Sequence, residues 1–274
     1  MSGNYIKMGK FMLLAMVAIG LTACSSPVIP LTGKVENAVI GEGSGLGDLV
    51  IKEKESFDAD KFDSVQVNTD AMEIYMTRSA TDTAEVELLI DDKIKNRFTL
   101  DASVRAGVLV LDVEEEGKSD RSGKGRQGER KLLIALPDKS YEEVSVDNNF
   151  GRVDAADIKS DKVTIKLDAG EIRLNEVTGE MSLETNAGAI EVDGFSLNNH
   201  LSAKADVGEI KIHLKEAPEA AELKLKSDIG DVTVDLANVD YEVDEKNEKA
   251  GSIGSKGYRI EANTSVGSIA VDSK

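Results

Sequence analysis

The stretch Val163-Thr164-Ile165-Lys166-Leu167-Asp168-Ala169-Gly170-Glu171-Ile172-Arg173-Leu174 decides the architecture. Apolar side chains stand at every second position on either side of Gly170, the spacing of two short strands that each bury one face. A glycine with a short polar residue two places before it marks a bend, because glycine reaches positive φ without a Cβ penalty. The small or apolar residue directly before the glycine is expected to face inward at that corner.

Working outward, the same pattern recurs at residues 144–153 around Gly151, 181–192 around Gly188, 201–212 around Gly208, 223–234 around Gly230 and 260–271 around Gly267. Successive glycines are 19, 18, 20, 22 and 37 residues apart. Strand, corner and strand, repeated without intervening helices, read as coils of a β-solenoid: one coil cannot bury its apolar face alone, but stacked coils can. An antiparallel meander or sandwich would give the same alternation. Its hairpins, however, favour Asn-Gly, Asp-Gly or Gly-Gly turns, and none of the repeat glycines has such a neighbour before it. Residues 65–76 fit the pattern with Met72 in the glycine position, as a degenerate first coil. Strand candidates at 86–90, 98–100, 108–113 and 132–136 are less repetitive and are expected to form an irregular antiparallel cap.

The 274 residues suffice for one large domain or two small ones. With 41% hydrophobic residues but 4% aromatics and no Trp, the core must be built from Val, Ile, Leu and Ala, which a narrow interior accepts. Residues 1–23 read as a secretory leader: Lys7 and Lys10 precede an apolar run too short to span a bilayer. Leu21-Thr22-Ala23-Cys24 resembles the lipobox of bacterial lipoproteins, which implies a diacylglycerol on Cys24, the sole cysteine, and an extracytoplasmic, membrane-anchored protein. If the organism has an outer membrane, Ser25 suits sorting to it. Residues 24–60, with glycines between 41 and 47, are expected to be a flexible tether, and 61–274 a single solenoid domain. Two stretches within that domain interrupt the repeat. Residues 114–130 hold no apolar side chain and are assigned to a loop. Residues 238–257 lengthen the last glycine step, either as a worn coil (Tyr241, Val243, Gly251, Ile253) or as an extruded loop.

Removal of the leader leaves 31 basic residues against 51 acidic ones, a net charge of −20, which repels nucleic acid. Chemistry has little to work with. No catalytic, cofactor or metal site is assigned: His200 and His213 lack partners at metal spacing and are expected on the surface, and no Gly-x-Ser-x-Gly elbow is present. Asp168, Asp206 and Asp228 share one repeat position with Asn149 and Asn186, so stacking aligns them along an edge. Corner capping of backbone N–H groups is the expected role of that row. Paired glycosidase carboxylates and a Ca²⁺ row are the alternatives.

The Asp/Asn-x-Gly-x-Ile/Val-x-Val coils, the Leu136-Pro137 step before them and the lipoprotein start resemble the DUF4097 family of β-strand-repeat proteins, over about residues 62–274. The resemblance implies a right-handed, parallel β-helix-like solenoid of about 20-residue coils. It also implies a non-enzymatic envelope protein of a family often labelled as adhesins, with a surface glycan or protein as partner. Because some members are associated with envelope-stress signalling, a sensor contacting a membrane protein is the alternative, and a carbohydrate-active enzyme is a third reading.

Overall fold

The computed structural model describes residues 47–116, 128–255 and 257–273, all within the unit Gly41–Lys274. Cys24 and most of the 114–130 stretch lie outside them. The strands, in chain order, are β1 (Leu49–Asp58), β2 (Ser64–Ser79), β3 (Thr83–Asp91), β4 (Phe98–Arg105), β5 (Val108–Glu115) and β6 (Arg130–Pro137). They continue as β7 (Ser140–Ala156), β8 (Lys159–Asn175), β9 (Thr178–Phe195), β10 (Leu201–Val207), β11 (Ile210–Leu214) and β12 (Ala221–Ile229). The last are β13 (Val232–Asp235), β14 (Asp240–Asp244), β15 (Glu248–Ile253), β16 (Tyr258–Val266) and β17 (Ile269–Ser273). All seventeen join one mixed sheet, and no α-helix occurs among the described residues.

The repeats pair in parallel and in register. Gly151 of β7 lies opposite Gly170 of β8, which lies opposite Gly188 of β9. The inward set shows why each strand must bend. In β8, Val163, Ile165 and Leu167 are buried, and then Ile172 and Leu174. Between Leu167 and Ile172 the inward positions change parity, which a continuous pleat cannot do. The side chain that faces inward at the corner is therefore the third before the glycine. The residue directly before it, expected inside, points out: Phe150, Val207, Ile229 and Val266 are 43–68% exposed.

The stack does not follow chain order. β16 pairs in parallel with both β10 and β12, and β17 with both β11 and β13. The final repeat thus lies between the fourth and the fifth. The N-terminal end is threaded the same way, since β2 pairs with β7 on one side and with β5 and β6 on the other. From one end to the other the rungs are β5/β6, β2, β7, β8, β9, β10/β11, β16/β17 and β12/β13. The first and last repeat strands of the chain are each hydrogen-bonded on both sides, so they leave the stack only by breaking two ladders.

Antiparallel strands close both ends. β4 covers β5, β3 covers β6, and β1 covers β3. The expected cap is present in β3 and β4, whereas β5 and β6 belong to the parallel stack. Leu49–Asp58, expected in the tether, forms edge strand β1 instead. Its run Lys52-Glu53-Lys54-Glu55 lacks apolar alternation because an edge needs charge, not burial, on its open side. At the other end 238–257 is neither a coil nor an extruded loop. It holds a hairpin, β14–β15, whose β15 runs antiparallel to β12. The last glycine step reaches 37 residues because that cap is inserted into an otherwise ordinary coil.

The core is a column of aliphatic side chains, each worth roughly 1.5–3 kcal/mol when fully buried. Near the N-terminal end its two largest members, Phe62 and Tyr141, stack at 6.1 Å between ring centres. There Lys139 Nζ lies 4.8 Å from the Phe62 ring centre and donates to the Ala59 carbonyl at 2.6 Å. The Tyr141 hydroxyl donates to the Pro137 carbonyl at 2.9 Å, tying the Leu136-Pro137 step to the start of β7 across the connecting turn.

Candidate functional site

The bend at the repeat glycines stacks into a single corner seven rungs long. At its floor each glycine covers the carbonyl of the one beside it. A Cβ on Gly170 would stand 1.7 Å from the Gly151 carbonyl oxygen, and one on Gly208 1.5 Å from that of Gly188. Their φ values are +142° and +153°, a region essentially reserved for glycine. Met72, on the outermost of these rungs, needs neither condition and turns its side chain into the core.

Three residues before the glycine, the inward row carries small polar groups that satisfy the corner backbone. Asn148 donates to the Met72 carbonyl at 3.0 Å and accepts from the Thr69 hydroxyl at 2.6 Å. Ser227 donates to the Gly267 carbonyl at 2.8 Å, and Thr264 to that of Gly208 at 3.2 Å. The capping role expected of the Asp/Asn row belongs to this row instead, and to carbonyls rather than N–H groups.

Two residues before the glycine, the spatial order is Asp70, Asn149, Asp168, Asn186, Asp206, Ser265 and Asp228. Every carboxylate is separated from the next by an amide or a hydroxyl. The Asn149 amide donates to Asp70 at 3.0 Å and the Asn186 amide to Asp168 at 3.1 Å. Carboxylates therefore stand two rungs apart, roughly 9.6 Å, which weakens their mutual repulsion. In chain order Asp206 and Asp228 are consecutive, and only the inserted β16 puts Ser265 between them.

One residue before the glycine, Ala71, Phe150, Ala169, Ala187, Val207, Val266 and Ile229 pair rung by rung. This is an outward apolar ladder roughly 29 Å long, six rung intervals of about 4.8 Å. Four of the six large apolar side chains exposed among the described residues lie in it, so it is a patch rather than scattered surface apolarity. Beside it runs a furrow lined by Glu73, Gly151, Arg152, Gly170, Glu171, Gly188 and Ala189. On its far bank, burial holds the Asp154 carboxyl above the usual carboxylate range, against the pull of Arg152 and Arg173. Tyr75 donates to Glu73 at 2.9 Å, and burial with that bond pushes its hydroxyl up to about 12.

The family model of Toastrack DUF4097 matches residues 134–272, from β6 to β17. The chain belongs to the Toastrack DUF4097 family. No curated protein matches it. Solved structures similar to this Toastrack chain include a putative cell adhesion protein from Clostridium sporogenes, with TM-score 0.48 and 14% identity over 81% of this chain and 99% of that one. A putative adhesin from Bacteroides fragilis gives 0.42 and 15% over 83% and 97%. A putative lipid binding protein from Parabacteroides distasonis gives 0.29 and 13% over 81% and 96%.

The two histidines lie apart. His213, expected on the surface and without partners at metal spacing, is half-buried, and its Nδ1 is 2.6 Å from Asp272 on the neighbouring rung. His200 Nδ1 accepts the Arg259 N–H at 2.9 Å, with its ring edge-on to Tyr258. Among the described residues no cluster of three His, Cys, Asp or Glu is placed to hold a metal. The apolar ladder itself went unrecognised in the sequence, where each member reads as core. The alternation could not have found it, because the residue before each glycine has the parity of the first inward set, as Ala169 does with Val163, Ile165 and Leu167.

Proposed function

We propose that this Toastrack protein is a non-enzymatic recognition protein of the bacterial cell envelope, anchored outside the cytoplasm by a lipid on Cys24, with the glycine corner as its binding edge. The observation that carries this reading is the apolar ladder: Phe150, Val207, Val266 and Ile229 stand out of a strongly acidic chain in one aligned row. Holding such a row in water has a cost that a binding partner would remove. Right-handed winding in coils of about 20 residues belongs to the same reading. The adhesin label that the family carries fits a long edge of this kind, which offers many equivalent contacts rather than one enclosed pocket.

The test has two arms. Fatty-acid labelling of the full chain in bacteria is expected to mark the wild type and leave Cys24→Ala unlabelled and released from the membrane. Attachment of the same cells to protein-coated and glycan-coated surfaces is expected to fall at least tenfold in Val207→Asp/Val266→Asp. Equal labelling of Cys24→Ala sinks the anchor, and unchanged attachment sinks the binding edge.

A further inference from the structure

We propose that the partner of this corner is a polypeptide segment with an apolar face bordered by lysine or arginine. The inference rests on the binding-edge reading above and adds the chemistry of the occupant, which the borders of the ladder specify.

On one side the ladder is bordered by the alternating row, which carries a carboxylate at every second rung. On the other side, one residue past the glycine, Glu73, Glu171, Glu209 and Asp231 share the row with one cation, Arg152, while Arg173, Lys211 and Lys246 reach in from neighbouring positions to Glu171, Glu209 and Asp231 at 2.7, 2.8 and 3.0 Å. Arg152 is already engaged, 3.2 Å from Glu171. Lys204, beside the alternating row, is held by Glu184 at 3.0 Å and reaches Asp206 at 3.9 Å. The apolar strip is thus bordered by the carboxylates of the alternating row on one side and by ion pairs on the other.

These borders discriminate among occupants. A second copy of the same edge would set carboxylates against carboxylates in either orientation, and like charges so placed disfavour association. An anionic membrane surface is repelled for the same reason. A glycan is held best by stacked aromatic faces, and Phe150 is the one aromatic residue of the ladder. A cationic amphipathic segment satisfies both parts at once, with apolar side chains on the ladder and ammonium or guanidinium groups on the carboxylates of the alternating row. Along a helix the rise between residues seven apart is about 10.5 Å, close to the roughly 9.6 Å between carboxylates. The roughly 29 Å ladder accommodates about 20 helical residues.

The experiment uses the full chain anchored in detergent-free phosphatidylcholine nanodiscs, with empty nanodiscs as the blank. The probes are a fluorescent peptide of about 20 residues, with leucine and lysine in helical pattern, the same peptide with glutamate for lysine, and vesicles of phosphatidylcholine with or without phosphatidylglycerol. The lysine peptide is expected to bind saturably. Val266→Asp is expected to weaken it at least tenfold although it adds an anion, and Asp206→Asn/Asp228→Asn to weaken it severalfold with a shallower salt dependence. Equal or tighter binding to Val266→Asp overturns the proposal, because bulk charge alone would then hold the peptide. Corner-dependent binding of the glutamate peptide or of vesicles, or self-association abolished by Val266→Asp, overturns the cationic partner while leaving the edge in use. If the attachment assay responds to the corner but the lysine peptide does not, this inference alone fails. If neither responds, the binding edge fails with it.

Discussion

Adding one methyl group in the middle of the glycine row tests how the corner is held together. In Gly188→Ala the new Cβ would lie 1.7 Å from the Gly170 carbonyl oxygen and 2.7 Å from its carbon, at a φ of +147°. The backbone strain is worth about 1–3 kcal/mol, and displacing a neighbouring rung another 1–3 kcal/mol. A loss of about 4 kcal/mol follows as a central value, or roughly 8–16 °C in Tm for a domain of this size. Gly107→Ala is the matched control. Gly107 has φ +82° in the tight turn between β4 and β5, and nothing lies within 4 Å of its would-be Cβ, so that change should lose only about 1–2 kcal/mol. Calorimetry and denaturant midpoints of both variants measure the difference, and hydrogen exchange should place the loss in β8 and β9. If Gly188→Ala is no worse than Gly107→Ala, close stacking of the glycine row is not what holds the corner.

Two further outcomes follow from single side chains. Thr185 fills the inward corner position between Leu167 and Ala205, and its buried hydroxyl has no hydrogen-bond partner among the described residues. Thr185→Val should therefore raise stability by about 1 kcal/mol, and a loss of similar size in thermal denaturation would mean the hydroxyl is satisfied. In alkali, burial raises the hydroxyls of Tyr141 and Tyr75, the latter to about 12. Unfolded tyrosine gives up its proton near pH 10. Above that pH the unfolded state binds fewer protons than the folded one, so stability falls as pH rises from about 10 towards 12. Tyr75→Phe and Tyr141→Phe should flatten that fall in denaturant titrations. Parallel curves for wild type and both variants would refute the assignment.

Much of the repeat region was legible in the sequence, because alternation on both sides of a spaced glycine specifies strand, bend and strand. Val163, Ile165, Leu167, Ile172 and Leu174 all face inward as their periodicity requires. The order of the rungs was not legible. The repeat around Gly267 has the same pattern as that around Gly230, so nothing local says which of them lies against Gly208. Strand β1 escaped notice because an edge strand needs charges, and a run such as Lys52-Glu53-Lys54-Glu55 reads as solvated chain. The hairpin β14–β15 escaped because Tyr241 and Val243 are too few to tell a worn coil from a cap. The ladder was hidden by the usual equation of apolar with buried, which holds for Ile172 and fails for Ile229, at 68% exposure. Even the alternation of carboxylate and neutral groups along the corner appears only once Ser265 is placed between Asp206 and Asp228.

The threading that builds this edge can be tested by disulfide trapping, since Cys24 is the only native cysteine and can be changed to alanine. Residues 206 and 265 sit at matching outward positions on adjacent rungs, about 4.8 Å apart and within reach of a disulfide. Residues 206 and 228 are two rungs apart, roughly 9.6 Å and beyond it. Asp206→Cys/Ser265→Cys is expected to oxidise rapidly and completely to an intramolecular disulfide, and Asp206→Cys/Asp228→Cys to remain reduced. The reverse result would mean that the coils stack in chain order, and the continuous ladder from Phe150 to Ile229 would not exist.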